Sequence, residues 1–455
     1  MSGTEQAERA RPRAGDELEL TIDRLAHGGA GVARLDGYVV FVRGGVPGDR
    51  VRARVTKSKR SFAEADSVEL LAPGPDRIEP LAPHPGAPWQ VLAYERQLAE
   101  KQDQARDALE RIGGFEHPPV EPIAPALERL HYRNKLEYSF GEDERGELVL
   151  GFHRAGRWDL IDPVERDILA SERVDRLRAA VGDWCRAEGL SAWDRRDQNG
   201  LLRNLVAREG RRAGVLQARL VTSPGSSLRV DELAAACPAD SFLWTRAEGV
   251  AETTRSGETE IVRGSAYVEE ELGGLRLRIS PDAFFQTNTE MAELLYRQAA
   301  DLAGLSGREK VLDLFCGIGT IALLMALDAG EVWGVEIVES AVADAIENAR
   351  LNGIDNASFF AGDVRLAMRP LLEKSGRPDV VVVDPPRAGL SQKIVRRVLE
   401  AEAHRIVYVS CNPTTLAPNA RQIVDAGYEL RTVRPVDMFP QTPHIECVAL
   451  LEKRG

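Results

Sequence analysis

The stretch Lys310-Val311-Leu312-Asp313-Leu314-Phe315-Cys316-Gly317-Ile318-Gly319-Thr320 constrains this chain more than any other. It reads as a buried strand entering a tight glycine turn, and Ile321 to Ala329 beyond it read as a helix. Such a unit aims backbone N–H groups at a helix start. Gly317 and Gly319 let a ligand reach the main chain without a Cβ in the way, and Thr320 closes the turn. The next strand, Val332 to Glu336, ends in an acid roughly 20 residues past the turn, the spacing at which a carboxylate accepts from ribose hydroxyls. The pattern fits an adenosine-type cofactor, although an ordinary tight connection would carry the same glycines. A nicotinamide dinucleotide fits poorly, because the full G-x-G-x-x-G is missing and an acid stands at the start of the turn.

Strand-like segments then recur at Ala357 to Phe360 before Gly362-Asp363, at Val380 to Val383 before Asp384-Pro385-Pro386-Arg387, and at Arg405 to Ser410 before Cys411. Helical stretches at Ser340 to Asn352, Gln392 to Ala401 and Ala420 to Ala426 separate them. Alternation of this kind predicts an α/β fold with a doubly wound parallel sheet. Open sheets bind ligands at the carboxyl ends of their strands, so Glu336, Asp363, Asp384 and Cys411 are expected along one crevice. The expectation is a Rossmann-like methyltransferase domain that uses S-adenosylmethionine.

At 455 residues the chain has room for two or three domains. Five cysteines without a C-x-x-C pair argue for a reducing interior, and no apolar stretch is long enough to span a bilayer. Met1 to Ala14 lacks the apolar region of a signal peptide. A cytoplasmic, monomeric protein with no membrane partner is expected. The net charge of −12 does not mark a nucleic-acid binder, yet Arg43, Arg50, Arg52, Arg54, Lys57, Lys59 and Arg60 crowd one stretch opposed there only by Asp49. A local patch of that kind can hold phosphate, or it can be a solvated strand face.

Residues 1–15 read as a disordered tail and 16–72 as short strands punctuated by glycines, which suggests a small OB-like β-barrel. A Pro-rich linker (Pro73 to Pro88) and a long helix (Leu92 to Ile112) fill residues 73–125. Residues 126–280 look mainly β and are assigned to RNA contact, with a helix near Ser171 to Glu188, and 281–455 form the Rossmann-like domain.

Cys411 follows a buried strand and precedes Asn412-Pro413, a turn that would expose its thiol at the ligand edge. Glu446 stands at the start of a closing strand, Cys447 to Leu451. A thiol and a carboxylate in one methyltransferase crevice suit C5 of uracil, which is too weak a nucleophile to take a methyl group unaided. Thiolate addition at C6 creates an enolate whose C5 attacks the methyl, and a base must then remove the C5 proton. His444, two residues from Glu446, is expected on the same strand face, where it could orient the carboxylate, bind phosphate or be structural.

Residues 16–455 resemble the RNA 5-methyluridine methyltransferases, which carry an N-terminal TRAM domain. The resemblance rests on Phe284-Phe285-Gln286-Thr287-Asn288, Leu312 to Gly319, Asp384 to Arg387, Ser410 to Pro413, and Asp437 to Glu446; Gly28 to Ala33 and Val46 to Val51 carry the TRAM likeness. It implies that Cys411 is the nucleophile and Glu446 the base. It places Gln286, Phe315, Glu336, Asp363 and Asp384 around the cofactor: Glu336 on the ribose, Asp363 near the adenine amino group and Asp384 at methyl transfer. Gln286 could alternatively cap a helix starting near Thr289, and Asp363 could be a plain turn residue. The implied substrate is a uridine of rRNA or tRNA.

Many members of that family hold an iron–sulfur cluster on four cysteines. The matching positions here are Ile78, His84, Ala87 and Asp167, none of them Cys, so neither a cluster nor any other metal is expected and hydrophobic packing would have to hold Pro73 to Gln90. Thr320 stands where Asn is usual, and Pro418-Asn419 where Arg-Asp is often found. Two alternatives remain at this level. Asp384 to Arg387 resembles the [DN]-P-P-[YF] loop of amino-group methyltransferases, which would put the methyl on another base or position, but Arg387 replaces the aromatic. A non-catalytic RNA-binding or folding factor would keep the scaffold and lose the catalytic pair.

Overall fold

The computed structural model describes residues 11–154, 156–224, 228–249 and 257–455. Residues 1–10 of the expected disordered tail lie outside these, whereas Gly15 donates to the carbonyl of Val55 at 2.8 Å and so is already part of the fold. The chain forms two compact units. One comprises Met1–Leu81, Ala87–Gln104 and Pro440–His444; the other comprises Ala82–Gly86, Ala105–Phe439 and Ile445–Gly455.

The first unit is built on β1 (Glu17–Thr21), β2 (Arg24–Leu25), β3 (Gly31–Leu35), β4 (Tyr38–Arg43), β5 (Arg50–Ser58) and β6 (Phe62–Ala72), in the order β1-β5-β6-β4-β3-β2. Strict alternation sets the faces of β5: Val51, Ala53 and Val55 are buried with Leu20, Val40 and Val42, and the intervening cations point outward. Asp49 does not oppose those cations. It is fully buried, accepts from the backbone of Val46 and Gly74 at 2.8 and 2.9 Å, and pairs with Arg77 at 2.7 Å. Burial alone would raise its carboxyl, but the Arg77 bond and the backbone donors hold it below the usual carboxylate range. The Pro-rich segment is thus anchored to the barrel by a buried ion pair, as well as by Trp89 and Leu92 packing on Leu25 and Val46. Helix α1 (Tyr94–Arg111) follows.

The second unit carries two seven-stranded sheets. The first contains β7 (Lys135–Glu142), β8 (Leu148–Arg154), β9 (Arg157–Pro163), β10 (Leu202–Gly210), β11 (Val215–Thr222), β12 (Ser241–Arg246) and β13 (Glu258–Arg263), with α2 (Glu172–Ala187) and α3 (Val230–Ala236) packed on it. A hairpin, β14 (Val268–Leu272) and β15 (Leu275–Ile279), and α4 (Thr289–Ala303) lead into the second sheet.

That sheet alternates β16 (Lys310–Leu314), α5 (Thr320–Ala326), β17 (Glu331–Glu336), α6 (Glu339–Leu351), β18 (Ala357–Ala361), α7 (Val364–Ser375), β19 (Val380–Val383), α8 (Gln392–Glu400), β20 (Arg405–Ser410), α9 (Pro413–Asp425), β21 (Tyr428–Val436) and β22 (Glu446–Lys453). Its order is β18-β17-β16-β19-β20-β22-β21, so the order reverses between β16 and β19. Apolar runs such as Val380–Val383 are buried on both faces, as a helix-covered parallel sheet requires. The sheet is mixed rather than wholly parallel, because β22 runs antiparallel to both β20 and β21. Among the described residues, no helix is long and apolar enough to cross a membrane.

Candidate active site

Cys411 lies between β20 and α9, half-buried. Helix α9 begins at Pro413 and not near Ala420: Asn412 caps it, accepting from the Thr414 amide at 3.0 Å, and Pro413 takes the first position, where no amide is needed. Pro418 sits inside this helix. The antiparallel ladder ends at the pair Ser410–Cys447, so Cys411 and Glu446 are the residues next to that last pair, close enough for the Glu446 carboxyl to act on the Cys411 thiol. Two latches hold the neighbouring loop, 384–391, against α9. The Asn412 amide donates to the Arg387 carbonyl at 3.2 Å, and Asn419 exchanges bonds with the Leu390 backbone at 2.8 and 3.0 Å.

The electrostatics of this crevice are unusual. Glu446 is 2% exposed, and its Oε2 has no hydrogen-bond partner among the described residues. Burial, with Asp384 nearby, pushes its carboxyl well above the ordinary range, against the pull of Arg387. Asp384, at the end of β19, is raised by desolvation to about 7. Asp313 in β16 is fully buried and raised well above its usual value by desolvation and by Asp384. Burial and the Glu446 carboxyl push the Cys411 thiol up to about 11, with Arg387 opposing. Four groups with perturbed ionisation meeting at a topological switch point mark a functional site.

Gln286 belongs to the same cluster. Asn288, not Gln286, caps α4, accepting from the Met291 amide at 3.2 Å. The Gln286 side chain instead bonds the buried Tyr296 hydroxyl, which also feels Asp384 and Glu446. Asn134 holds the segment from the other sheet by donating to the Gln286 carbonyl at 2.9 Å. Tyr296, Asn134 and Asn419 were missed by sequence reasoning, because each acts through a partner distant in the chain.

The glycine turn forms the other half of the crevice. Phe315 is held at φ +67°, a strained left-handed conformation, by donation of its amide to Val335 at 2.9 Å. A Cβ on Gly317 would meet nothing, so its surface stands open to a ligand, and its amide donates to Glu336 Oε2 at 3.2 Å. Gly319 has a different reason to be glycine. Its φ of +84° favours glycine, and a Cβ there would lie 3.0 Å from Phe359 and 3.1 Å from Ala345, so helix–sheet packing also requires that it carry no side chain. Thr320 is the buried first residue of α5. Asp363 caps α7 and is gripped by Arg365, whose Nε lies 2.9 Å from both carboxylate oxygens and holds its pKa down to about 2. His444 lies outside β22 and falls in the first unit, so the shared strand face expected for it does not exist.

Four of the seven barrel cations are compensated. Arg43 pairs with Asp66 at 3.5 Å, Arg54 with Glu17 at 2.8 Å and Lys57 with Glu64 at 3.3 Å, while Arg52 pairs with Glu69 and, at 3.6 Å, with Glu19. The opposing acids come from β1 and β6, which flank β5, so the stretch looks more basic in sequence than it is in space. Arg50, Lys59 and Arg60 are exposed with no ion pair among the described residues.

Two of the positions matched to cluster cysteines also meet. His84 Nε2 lies 2.8 Å from Asp167 Oδ1, both side chains fully buried, and Tyr138 donates to Asp167 Oδ2 at 2.7 Å. That donor set does not fit a four-thiolate cluster, since every cysteine of the chain lies elsewhere. The segment is held here by a polar contact as well as by hydrophobic packing.

A doubly wound sheet with an open glycine turn, an acid bound to that turn's amide and a cluster of buried acids at the switch point is the architecture of an S-adenosylmethionine-dependent methyltransferase. Residues 243–454 match the tRNA (uracil-5-)-methyltransferase family and residues 12–68 match the TRAM domain. An uncharacterized RNA methyltransferase of Halalkalibacterium halodurans is 38% identical over 97% of this chain and 98% of its own, and one of Chlorobaculum tepidum is 39% identical over 97% and 98%. The chain belongs to the tRNA (uracil-5-)-methyltransferase family and is an RNA methyltransferase. Among solved structures, the tRNA (uracil-54, C5)-methyltransferase of Pyrococcus abyssi in complex with S-adenosyl-L-homocysteine superposes with a TM-score of 0.77 at 28% identity, over 95% of this chain and all of that one.

Proposed function

We propose that this enzyme methylates C5 of a uridine in rRNA or tRNA through a covalent bond between Cys411 and C6 of the base. The observation that carries the reading is the juxtaposition of Cys411 with Glu446, a buried carboxyl whose Oε2 is unpartnered. S-adenosylmethionine supplies an electrophilic methyl group on a cationic sulfur. The residues present suit that group: Gly317 leaves room beside the main chain, and Asp313 and Asp384 offer uncompensated acidity to a cation. Glu336 would accept from the ribose hydroxyls and Asp363 would lie near the adenine amino group, with Gln286, Phe315 and Thr320 lining the same site.

The Cys411 sulfur adds to C6, and the electron pair of the C5–C6 double bond moves toward the C4 carbonyl as an enolate. C5 would then take the methyl group, the electron pair of the broken methyl–sulfur bond staying on the donor sulfur. Glu446 removes the C5 proton, the double bond re-forms and Cys411 leaves as thiolate. Burial and the Glu446 carboxyl raise the Cys411 thiol to about 11, which favours its protonated form at rest. Arg387 and the positive charge of the methyl donor favour the thiolate, so the nucleophile is generated in the loaded site. A raised Glu446 is a stronger base once ionised. In the barrel, Arg50, Lys59 and Arg60 would contact RNA phosphates most readily, and Arg43, Arg52, Arg54 and Lys57 would do so in exchange for their carboxylates.

Mass spectrometry of rRNA and tRNA nucleosides from cells with and without this gene tests the reading, which expects one 5-methyluridine to disappear. RNA carrying 5-fluorouridine should accumulate as an adduct on the purified enzyme, because its C5 carries no removable proton. An intact 5-methyluridine complement together with no adduct would overturn the proposal.

A further inference from the structure

Four of the seven barrel cations are paired and Arg50, Lys59 and Arg60 are not, so the barrel keeps part of its charge for a polyanion; a second set of unspent cations lies elsewhere. It lines a cleft of about 390 Å³ between α7 and α8, formed by Asp363, Arg365, Leu366, Lys393, Arg396 and Arg397. Arg365 is spent on Asp363, and Arg397 is spent on Glu400 at 2.6 Å and on the Arg365 carbonyl at 3.1 Å. Lys393 and Arg396 are exposed, carry no ion pair among the described residues, and stand three apart on α8, on one helix face. The cleft therefore holds one carboxylate against four cations, two of them unspent.

Its position matters as much as its charge. Both helices start at the carboxyl edge of the sheet, α7 just after β18 and α8 at the end of the loop that carries Asp384 and Arg387. This is the edge on which Cys411 and Glu446 meet. The amino ends of α7 and α8 add partial positive charge on the same side. Leu366, 77% exposed, places an apolar surface among the cations, as suits a ribose or base beside bound phosphates.

We infer that the α8 wall of this cleft, with Lys393 and Arg396 as phosphate contacts, is a binding subsite for the phosphodiester backbone of the substrate RNA flanking the target uridine, the α7 wall with Asp363 being left to the cofactor. This rests on the proposed RNA chemistry of the crevice. A single-stranded polyanion loses about 0.7 in salt slope for each phosphate contact removed.

The test uses the full-length enzyme, a labelled 20-nucleotide oligouridylate, and binding titrations from about 50 to 300 mM salt. Lys393→Ala with Arg396→Ala should flatten the log–log salt slope by about 1.4, and each single change by about half of that. S-adenosylmethionine affinity, measured by calorimetry on the same proteins, should stay at the wild-type value. An unchanged slope in the double variant would overturn the inference, and so would equal losses of oligouridylate and S-adenosylmethionine binding. Adduct formation by the wild-type enzyme on 5-fluorouridine-substituted bulk tRNA is scored in parallel. Its absence would count against the uridine chemistry, whereas an adduct with an unchanged slope would count against the cleft alone.

Discussion

The charges of the β5 strand and the charges of the crevice follow opposite rules. On the barrel, Arg52, Arg54 and Lys57 are solvated, and each faces an acid supplied by a neighbouring strand. In the crevice, Asp313, Asp384 and Glu446 are drawn together in a poorly solvated space, and their carboxyls rise instead of finding cations. Exposed pairs are worth about 0–1 kcal/mol and are cheap to keep or lose. Buried uncompensated acids cost the fold and persist only where something else needs them. The dense run of charge conspicuous in the sequence is thus the less informative of the two, and three acids scattered over more than a hundred residues are the more informative.

The largest effects are expected at the pair that closes the crevice. Cys411→Ala should abolish methylation and form no adduct with 5-fluorouridine RNA. Glu446→Gln keeps the shape and removes the basic lone pair, so addition and methyl transfer can proceed while elimination stalls. Loss of a general base costs on the order of 10² to 10⁴ in rate. The Gln variant should trap ordinary RNA as a methylated adduct through Cys411, resolved on denaturing gels. A slow Gln variant that releases all its RNA on denaturation would identify another base and remove Glu446 from the comparison.

Asp384 sharpens the contrast through pH. Its folded pKa, about 7, lies above the unfolded value near 3.8, so the carboxyl stays protonated in the fold while the unfolded chain ionises. Stability is therefore lost as pH rises from about 4 to about 7. Asp384→Asn should melt higher than wild type at pH 8 and about equally at pH 4. A cation brought beside Asp384 favours its ionised form. S-adenosylmethionine should accordingly release more protons on binding at pH 6.5 than neutral S-adenosylhomocysteine does, and Asp384→Asn should erase the difference. Equal proton release for the two ligands, measured by calorimetry in buffers of different ionisation enthalpy, would show that Asp384 does not read the sulfonium charge.

His84 and Asp167 occupy the middle ground, buried yet paired. Burial alone would raise the Asp167 carboxyl, but the His84 and Tyr138 bonds hold it below its ordinary value, so this contribution is lost as pH falls through the folded pKa. His84→Ala removes one donor from a carboxylate that keeps Tyr138 and two backbone amides. A loss of roughly 1–3 kcal/mol in denaturant unfolding is expected. Wild-type stability in that variant would mean the contact fastens nothing.

These elements also show what a sequence can and cannot announce. The strand, the glycine turn and Glu336 are close in the chain, and their spacing foreshadows the bond from the Gly317 amide to Glu336. Cys411 and Glu446 were found as motifs, but their meeting depends on β22 inserting antiparallel between β20 and β21, a pairing no local pattern encodes. The helix read from Ala420 begins at Pro413, because Asn412 caps it and Pro413 fills its first position, where the sequence shows only a turn. The packing of Phe359 and Ala345 against Gly319 comes from residues distant in the chain, and no glycine pattern announces it. The acids that neutralise the barrel cations sit on the strands either side of β5, so a reading confined to one strand counted the charge without its partners.

The smallest effects belong to those partners, and they test the comparison from its weaker side. If Glu17 and Glu69 merely screen Arg54 and Arg52, then Glu17→Gln with Glu69→Gln should leave stability within about 1 kcal/mol of wild type. The two arginines would then be free for phosphate, although Arg52 keeps Glu19 at 3.6 Å. RNA affinity should rise at low salt, and the salt slope should steepen by at most about 1.4. Conversely, Arg52→Ala with Arg54→Ala should flatten the slope by less than the Lys393 and Arg396 changes do, because each of these arginines surrenders a carboxylate for every phosphate it takes. Binding titrations on the two double variants side by side decide the matter. A larger loss from the barrel arginines than from the α7–α8 cleft would mean that paired surface charge counts for more here than its geometry allows, and the distinction between the two regions would fall.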